Sequence, residues 1–290
     1  MTGLGELAGL AAACAWAATG LLVRAHGLGL SAVTINALRC TIAGAFFVLA
    51  WPLAANHSPV PARAWVLLLT SLVMGLGVGD SLYFEALKRI GVARAMPISM
   101  GYPVLAAIGA VVLYQEQIGL RSAVGVVLTL GGVYLVARPT EQADTPAESG
   151  YWRGVGLAAG AAVSWSCSTL ALQPALALVD VPTASAIRLP LVSALLWVFA
   201  ARRGALPERA SLSRRSLIAI AVTGVMTILA TWFFLQSVAL AGAGRAAVLT
   251  ATSPLFAVPI SIVFLGERGH GRLMIGTLCS VAGVILLAEP

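Results

Sequence analysis

Apolar residues in this chain gather into long runs, and most polar residues fall into the short stretches between them. The runs extend from Leu4 to Val23, Ser31 to Leu53, Ala64 to Leu87, Val92 to Tyr114 and Ile118 to Ala137, then from Gly154 to Leu172, Pro182 to Ala200, Ser216 to Ala241, Ala243 to Leu265 and Leu273 to Ala288. A helix crossing the hydrocarbon of a bilayer needs about 20 apolar residues, so each run predicts one crossing. These crossings consume most of the chain and leave no stretch for a separate soluble domain. Pro139 to Gly150, with Glu141, Gln142, Asp144 and Glu148, is the one clearly solvated connection. The predicted fold class is an all-α integral membrane protein of ten transmembrane helices. It divides into a first five-helix unit over 1–138, a polar linker over 139–152 and a second five-helix unit over 153–290.

The two units repeat one another. Trp16 and Trp165 stand 149 positions apart, as do Arg39 and Arg188, each inside the context Ala37-Leu38-Arg39 or Ala186-Ile187-Arg188. Later in each unit the separation is 151, matching Arg94 with Arg245, Pro103 with Pro254, Glu116 with Glu267, Gly125 with Gly276 and Gly132 with Gly283. Five crossings per unit is an odd number, so the second copy enters the membrane from the opposite side. That predicts two inverted-topology repeats.

Composition agrees and adds an orientation. With 59% apolar and 10% charged residues, and a mean hydropathy of +0.94, the chain is not a cytosolic enzyme, a disordered tail or a nucleic-acid module. The formal charge of +7 comes from basic residues lying mainly between the apolar runs. Arg24, Lys88, Arg89, Arg94, Arg138, Arg153, Arg202, Arg203, Arg209, Arg214, Arg215, Arg268 and Arg272 fall on one side, and only Arg63, Arg121 and Arg245 on the other. The positive-inside rule then puts the first set in the cytoplasm and both termini outside the cell's inner (plasma) membrane. The first run has no basic residue before it and so reads as helix one rather than a cleaved signal peptide. Cys14, Cys40, Cys167 and Cys279 lie in apolar runs without CxxC pairing, as small packing residues do.

Several of these residues also carry a family likeness. Trp16 and Trp165 lie in the first helix of each unit, Arg39 and Arg188 in the second, and Ala86-Leu87 ends the third. Pro103 and Pro254 fall in the fourth, and Leu265-Gly266-Glu267-Arg268 closes the ninth run. In this order they resemble the drug/metabolite transporter superfamily, specifically its EamA-type members with two five-helix repeats. The likeness covers essentially the whole chain, although the first copy departs by reading Leu113-Tyr114-Gln115-Glu116. The resemblance implies a small-molecule exporter, with amino-acid exporters of the YddG type a close candidate.

Candidate chemistry collects at the irregular points. Pro97 with Pro103, and Pro254 with Pro259, remove backbone donors from the fourth and ninth helices. The last turn before each break then frees the carbonyl of Ser99 or Thr250, near Tyr102, Thr252 and Ser253. Such groups either line a substrate pocket between repeats or bond back to their own helix. Trp16 and Trp165 lie mid-helix, each followed three residues on by a hydroxyl, Thr19 or Ser168. They form an aromatic wall for a ligand or simply pack a core.

Gly75, Gly77 and Gly79 precede Asp80, the one carboxylate well inside a run, and Tyr83 follows it. Asp80 is a candidate for a substrate ammonium, a coupling proton or an ion pair with Arg39. Glu85 has Arg89 one turn on as a partner, and its counterpart is Gln236, near Trp232. Arg39 and Arg188 stand close enough to the membrane surface to snorkel, which reads as scaffold; contact with a substrate carboxylate is the other reading. The candidate substrate-binding set is Trp16, Thr19, Asp80, Tyr83, Ser99, Tyr102, Trp165, Ser168, Trp232, Gln236, Thr250 and Thr252. Arg39, Arg188, Pro103, Pro254 and Gly77 are structural or gating candidates.

The leading function is secondary transport by alternating access; the resemblance implies export of amino acids, aromatic or other neutral, with nucleosides or organic cations as other cargo. Exchange, facilitated flow and proton coupling all remain compatible with it. No GxxxxGKS/T phosphate loop is present to hydrolyse ATP. A membrane-embedded enzyme is the main alternative and a passive channel the third. His26, His57 and His270 are placed in connecting loops, and HExxH and GxSxG are absent, so neither a metal nor a cofactor is expected. The expected partners are a small-molecule substrate and the lipid bilayer, not nucleic acid, with the chain acting as a monomer.

Overall fold

A backbone immersed in hydrocarbon must satisfy its own N–H and C=O groups, and a helix does so within a single segment. The computed structural model describes residues 2–26, 30–54, 59–114, 119–138, 150–207 and 214–287, and regular structure among them is helical throughout. The elements are α1 (Thr2–His26), α2 (Ala32–Ala54), α3 (Ala62–Ser71), a π-helical segment (Leu72–Gly79), α4 (Asp80–Ile90), α5 (Val92–Ser99), α6 (Tyr102–Tyr114) and α7 (Leu120–Ala137). After the linker come α8 (Tyr151–Leu176), α9 (Val181–Arg202), α10 (Arg214–Ala241), α11 (Ala243–Thr250), α12 (Ser253–Leu265) and α13 (Gly271–Leu287). Eight segments are long and apolar enough to span a bilayer, and Ala123–Ala137 and Gly271–Leu286 are two shorter apolar helices. The chain is a multi-pass membrane protein. Glu116, Ile118, His57, Arg209, Ala288 and linker residues 139–149 lie outside the described residues. His26 is not in a loop but ends α1, its Nδ1 3.2 Å from the Leu22 carbonyl.

Burial follows a lipid solvent. Large apolar side chains point outward, with Leu49 77% and Phe264 79% exposed, while Asn36, Arg39, Ser71, Ser99, Thr250 and Ser253 are buried. Inward-facing hydroxyls mostly bond to their own helix four residues back, as Thr19 does to Ala15 O (2.9 Å) and Thr223 to Ala219 O (2.7 Å).

Helix pairs cross between the two halves of the chain. In α2 and α9, Thr41 and Ser193 share a hydrogen bond at 2.8 Å, and a Cβ on Gly44 would lie 3.0 Å from Pro190 N. Increasing number along one helix meets decreasing number along the other, so the two run antiparallel. In α7 and α13, Thr129 Oγ1 donates to Ser280 O and Ser280 Oγ to Thr129 O, both at 3.4 Å. Likewise α1 packs on α10, and α8 packs on the whole Ala62–Ile90 span.

Breaks fall just before Pro103 and Pro254, whereas Pro97 and Pro259 lie inside the continuous helices α5 and α12. The fourth run parts into α5 and α6 at Met100 and Gly101, and the ninth into α11 and α12 at Ala251 and Thr252. At the second break the Thr250 carbonyl accepts from Ser253 Oγ at 2.5 Å, and Thr252 Oγ1 donates to Leu249 O at 2.6 Å. Each first half-helix is preceded by a glycine in the left-handed region, Gly91 at φ 75° and Gly242 at φ 86°. Glu267 then caps α5. Its two oxygens accept from Val92 N (2.9 Å) and Ala93 N (2.8 Å), and Oε1 also meets Arg24 Nε at 3.3 Å. Glu267→Ala is expected to lose about 1–3 kcal/mol, because two helix N–H groups and one guanidinium lose a charged acceptor together. Thermal unfolding in detergent reads the loss, and an unchanged midpoint would remove this cap from the stability of the fold.

Candidate functional site

A small cavity of about 60 Å³ lies at the centre of the bundle, where α1, α2, the π segment, α4, α5, the start of α6, α8, α9 and α10 converge. At roughly 15 Å³ per water that is space for about four waters, less than the 300 Å³ or more of a typical ligand pocket. The space at the centre of the bundle is therefore narrow. The cavity wall includes Trp16, Thr19, Asp80, Tyr83, Tyr102, Trp165 and Ser168, seven of the twelve residues read from the sequence as substrate-binding.

The local backbone explains how the π segment and α8 meet. A Cβ on Gly79 would stand 2.6 Å from Trp165 Cδ1, and one on Gly75 would press against Ser168 Oγ, so these glycines let α8 lie close. Trp165 Nε1 thereby reaches Asp80 Oδ1 at 2.8 Å. Asp80 follows the last π turn, its backbone N–H bonded to Gly75 O, and π turns of this kind concentrate at functional positions. Around Trp165 stand Tyr83 (ring centroids 5.2 Å), Tyr102 (6.1 Å, edge-on) and Trp16 (6.4 Å, nearly parallel), with Phe234 beyond Trp16 at 5.2 Å. The Tyr83 hydroxyl is buried without a hydrogen-bond partner among the described residues.

The arginines do not snorkel. Arg39 and Arg188 are 2% and 4% exposed, and both line the cavity. Arg39 donates from Nε to Asn36 Oδ1 (2.9 Å), from Nη1 to Thr227 Oγ1 (3.1 Å) and from Nη2 to Asp80 Oδ2, and lies over the Phe84 ring at 4.8 Å. Of the readings open for Asp80, the ion pair with Arg39 is the one present. Glu85 pairs with Arg89 at 2.7 Å, away from the cavity wall.

The remaining candidates stand outside the lining. Ser99 Oγ donates to Ala158 O (3.0 Å), and Thr250 Oγ1 donates to Ala246 O (2.7 Å) while meeting the Tyr102 hydroxyl at 2.9 Å. With Thr252 also bonded to its own helix, the hydroxyls at the breaks serve backbone more than cavity. Trp232 stacks on Phe47 at 6.4 Å, and Gln236 is half-buried off the wall. Pro103 and Pro254 are buried beside the breaks, and the Gly77 carbonyl accepts from Ser81 Oγ at 2.6 Å. The sequence reading missed Phe84, Met96, Met100, Thr169, Thr227 and Thr231, all on the wall. Thr227 and Thr231 carried a usable signal, since one turn separates them on the face of α10 that meets α2.

Comparison with known proteins puts this arrangement in a familiar group. The EamA-like transporter family matches residues 3–138 and again residues 152–288. An uncharacterized transporter from Archaeoglobus fulgidus is 28% identical over 287 residues, covering 98% of each chain. A putative sugar uptake protein from Lactiplantibacillus plantarum is 25% identical over 303 residues, covering 98% of this chain and 99% of the relative. A crystal structure of a protein whose activity is not described superposes with a TM-score of 0.73 at 19% identity, covering 99% of this chain and 96% of that one.

Proposed function

Because this chain belongs to the EamA-like transporter family, we propose that it is a secondary carrier that moves small amphipathic metabolites, neutral amino acids foremost, outward across the inner membrane. The central cavity is the binding site. It is exposed alternately to each side by rocking of two inverted five-helix repeats, residues 1–138 and 153–290, about one another. The observation that carries the reading is reciprocity: the Thr129–Ser280 contact maps onto itself at the 151 spacing, and the Thr41–Ser193 contact maps onto Gly44–Pro190 at 149. Antiparallel packing of equivalent helices through self-complementary contacts is what a twofold axis in the membrane plane produces. Basic loops favour cytoplasmic connections and external termini, and the bundle works as a monomer. Asp80, Tyr83, Tyr102 and the Trp16–Trp165 pair then contact substrate.

Counterflow in sealed vesicles tests it. Purified full-length protein is reconstituted with a labelled solute inside, and L-valine, L-phenylalanine, glucose, uridine or tetraethylammonium is added outside. A carrier releases label several-fold faster when its own substrate is present on the far side, and the neutral amino acids are expected to do this. Glucose is included because an aromatic pair also stacks on sugars and one relative is named a sugar uptake protein. Leakage without acceleration would establish a channel, and chemical change of the solute an enzyme.

A further inference from the structure

Two arginines at matched positions line the same cavity in unlike surroundings. Arg39 has Asn36, Thr227 and Asp80 as acceptors. Arg188 has no hydrogen bond and no ion pair among the described residues, and its Nε is buried without an acceptor. The repeat shows what changed. At the 149 spacing Asn36 becomes Ser185, whose hydroxyl is committed to Val181 O of its own helix at 2.8 Å. At the 151 spacing Asp80 becomes Thr231, and the counterpart of Thr227 is Leu76. The second half thus carries the guanidinium without a charged acceptor at the matching position. Asp80, which Arg188 feels electrostatically, already accepts from Arg39 on one oxygen and from Trp165 on the other.

A guanidinium stays protonated and presents five donors in a planar fork, so leaving one buried and unpaired is strongly unfavourable. We infer that Arg188 is the receptor for the charged end of the substrate, and that this end is a carboxylate. The inference rests on the carrier reading above and narrows its substrate class. Two arginines against one aspartate leave a single net positive charge on the wall, which a carboxylate without an ammonium neutralises fully and the carboxylate of a zwitterion offsets locally. A phosphate monoester would bring about −1.5 to −2 and overshoot it. The fork matches the two oxygens of a carboxylate, the Tyr83 hydroxyl adds a free polar group to the same lining, and Trp16, Phe234 and Leu235 offer an apolar wall for the rest of the molecule.

The test is thermal stabilisation of the purified full-length protein by matched probes. These are L-valine, 3-methylbutyrate (amine removed), L-valinamide (carboxylate capped), 2-methylpropylamine (carboxylate removed) and 2-methylpropyl phosphate. L-valine and 3-methylbutyrate are expected to raise the unfolding midpoint, and the amide and the amine to leave it unmoved. Arg188→Gln is expected to weaken L-valine binding on the order of 100-fold. Its midpoint without ligand should equal or exceed the wild type's, since an unpaired buried charge has been removed. Because the probe series is read on the wild-type protein, it decides the matter even if the variant fails to fold. Silence from both carboxylates, equal stabilisation by the amide or amine, a stronger effect of the phosphate, or unchanged valine binding by Arg188→Gln overturns the inference. Counterflow by glucose, uridine or tetraethylammonium without any response to carboxylates overturns it while leaving the carrier standing; absence of counterflow with every solute removes both.

Discussion

Asp80→Asn is expected to lower the stability of the protein by about 3–5 kcal/mol, the usual consequence of removing one partner of a buried ion pair. The carboxylate accepts from the Arg39 guanidinium and from Trp165 Nε1 together, and it is the negative group on a wall that also holds Arg188. An amide at this position still serves the indole but no longer offsets either arginine. Adding Arg39→Gln to Asp80→Asn should therefore recover much of the loss, so that the pair costs less than the two single changes summed. Unfolding midpoints of the four proteins in detergent give the coupling directly. Strict additivity would show that the two side chains are not energetically coupled in the folded protein.

Gly132→Val is expected to destabilise by at least about 3 kcal/mol and to leave little folded protein, whereas Gly131→Val beside it is tolerated. A Cβ at Gly132 would stand 2.5 Å from both the Gly276 carbonyl oxygen and Ser280 N, and one at Gly283 would stand 2.6 Å from Gly125 O. These obstacles are backbone atoms, so α7 and α13 would have to separate rather than adjust a rotamer. Nothing lies within 4 Å of a Cβ at Gly131. In lipid no hydrophobic force presses helices together, so close backbone packing of this kind carries much of the association. Monodispersity and unfolding midpoint of the two variants measure the contrast, and equal behaviour would show that the crossing does not depend on this approach.

The features legible before any coordinates were those that follow from local chemistry. Proline has no N–H, so breaks beside Pro103 and Pro254 could be placed from the chain alone. The convergence of Trp16, Trp165, Asp80 and Tyr83 was readable because a mid-membrane carboxylate and mid-helix tryptophans are out of place in lipid. What escaped depended on partners distant in sequence. Arg39 is drawn inward by Thr227, 188 positions away, and no count along α2 reveals that. Ser99, Thr250 and Thr252 have the composition of a pocket, yet Thr250 and Thr252 settle on carbonyls three or four residues back, as helix hydroxyls do, and Ser99 donates across to Ala158 O of α8. The π segment was also hidden, because the small residues that admit it equally suit a straight helix.

The unlike settings of Arg39 and Arg188 bear on the energetics of a transport cycle. For halves with identical side chains, exchanging their conformations would swap the inward-open and outward-open shapes at no net difference in free energy. With the neutralised cation in one half and the unanswered one in the other, the rocking cycle proposed above would give the empty carrier a preferred resting face, and a bound carboxylate would shift that bias.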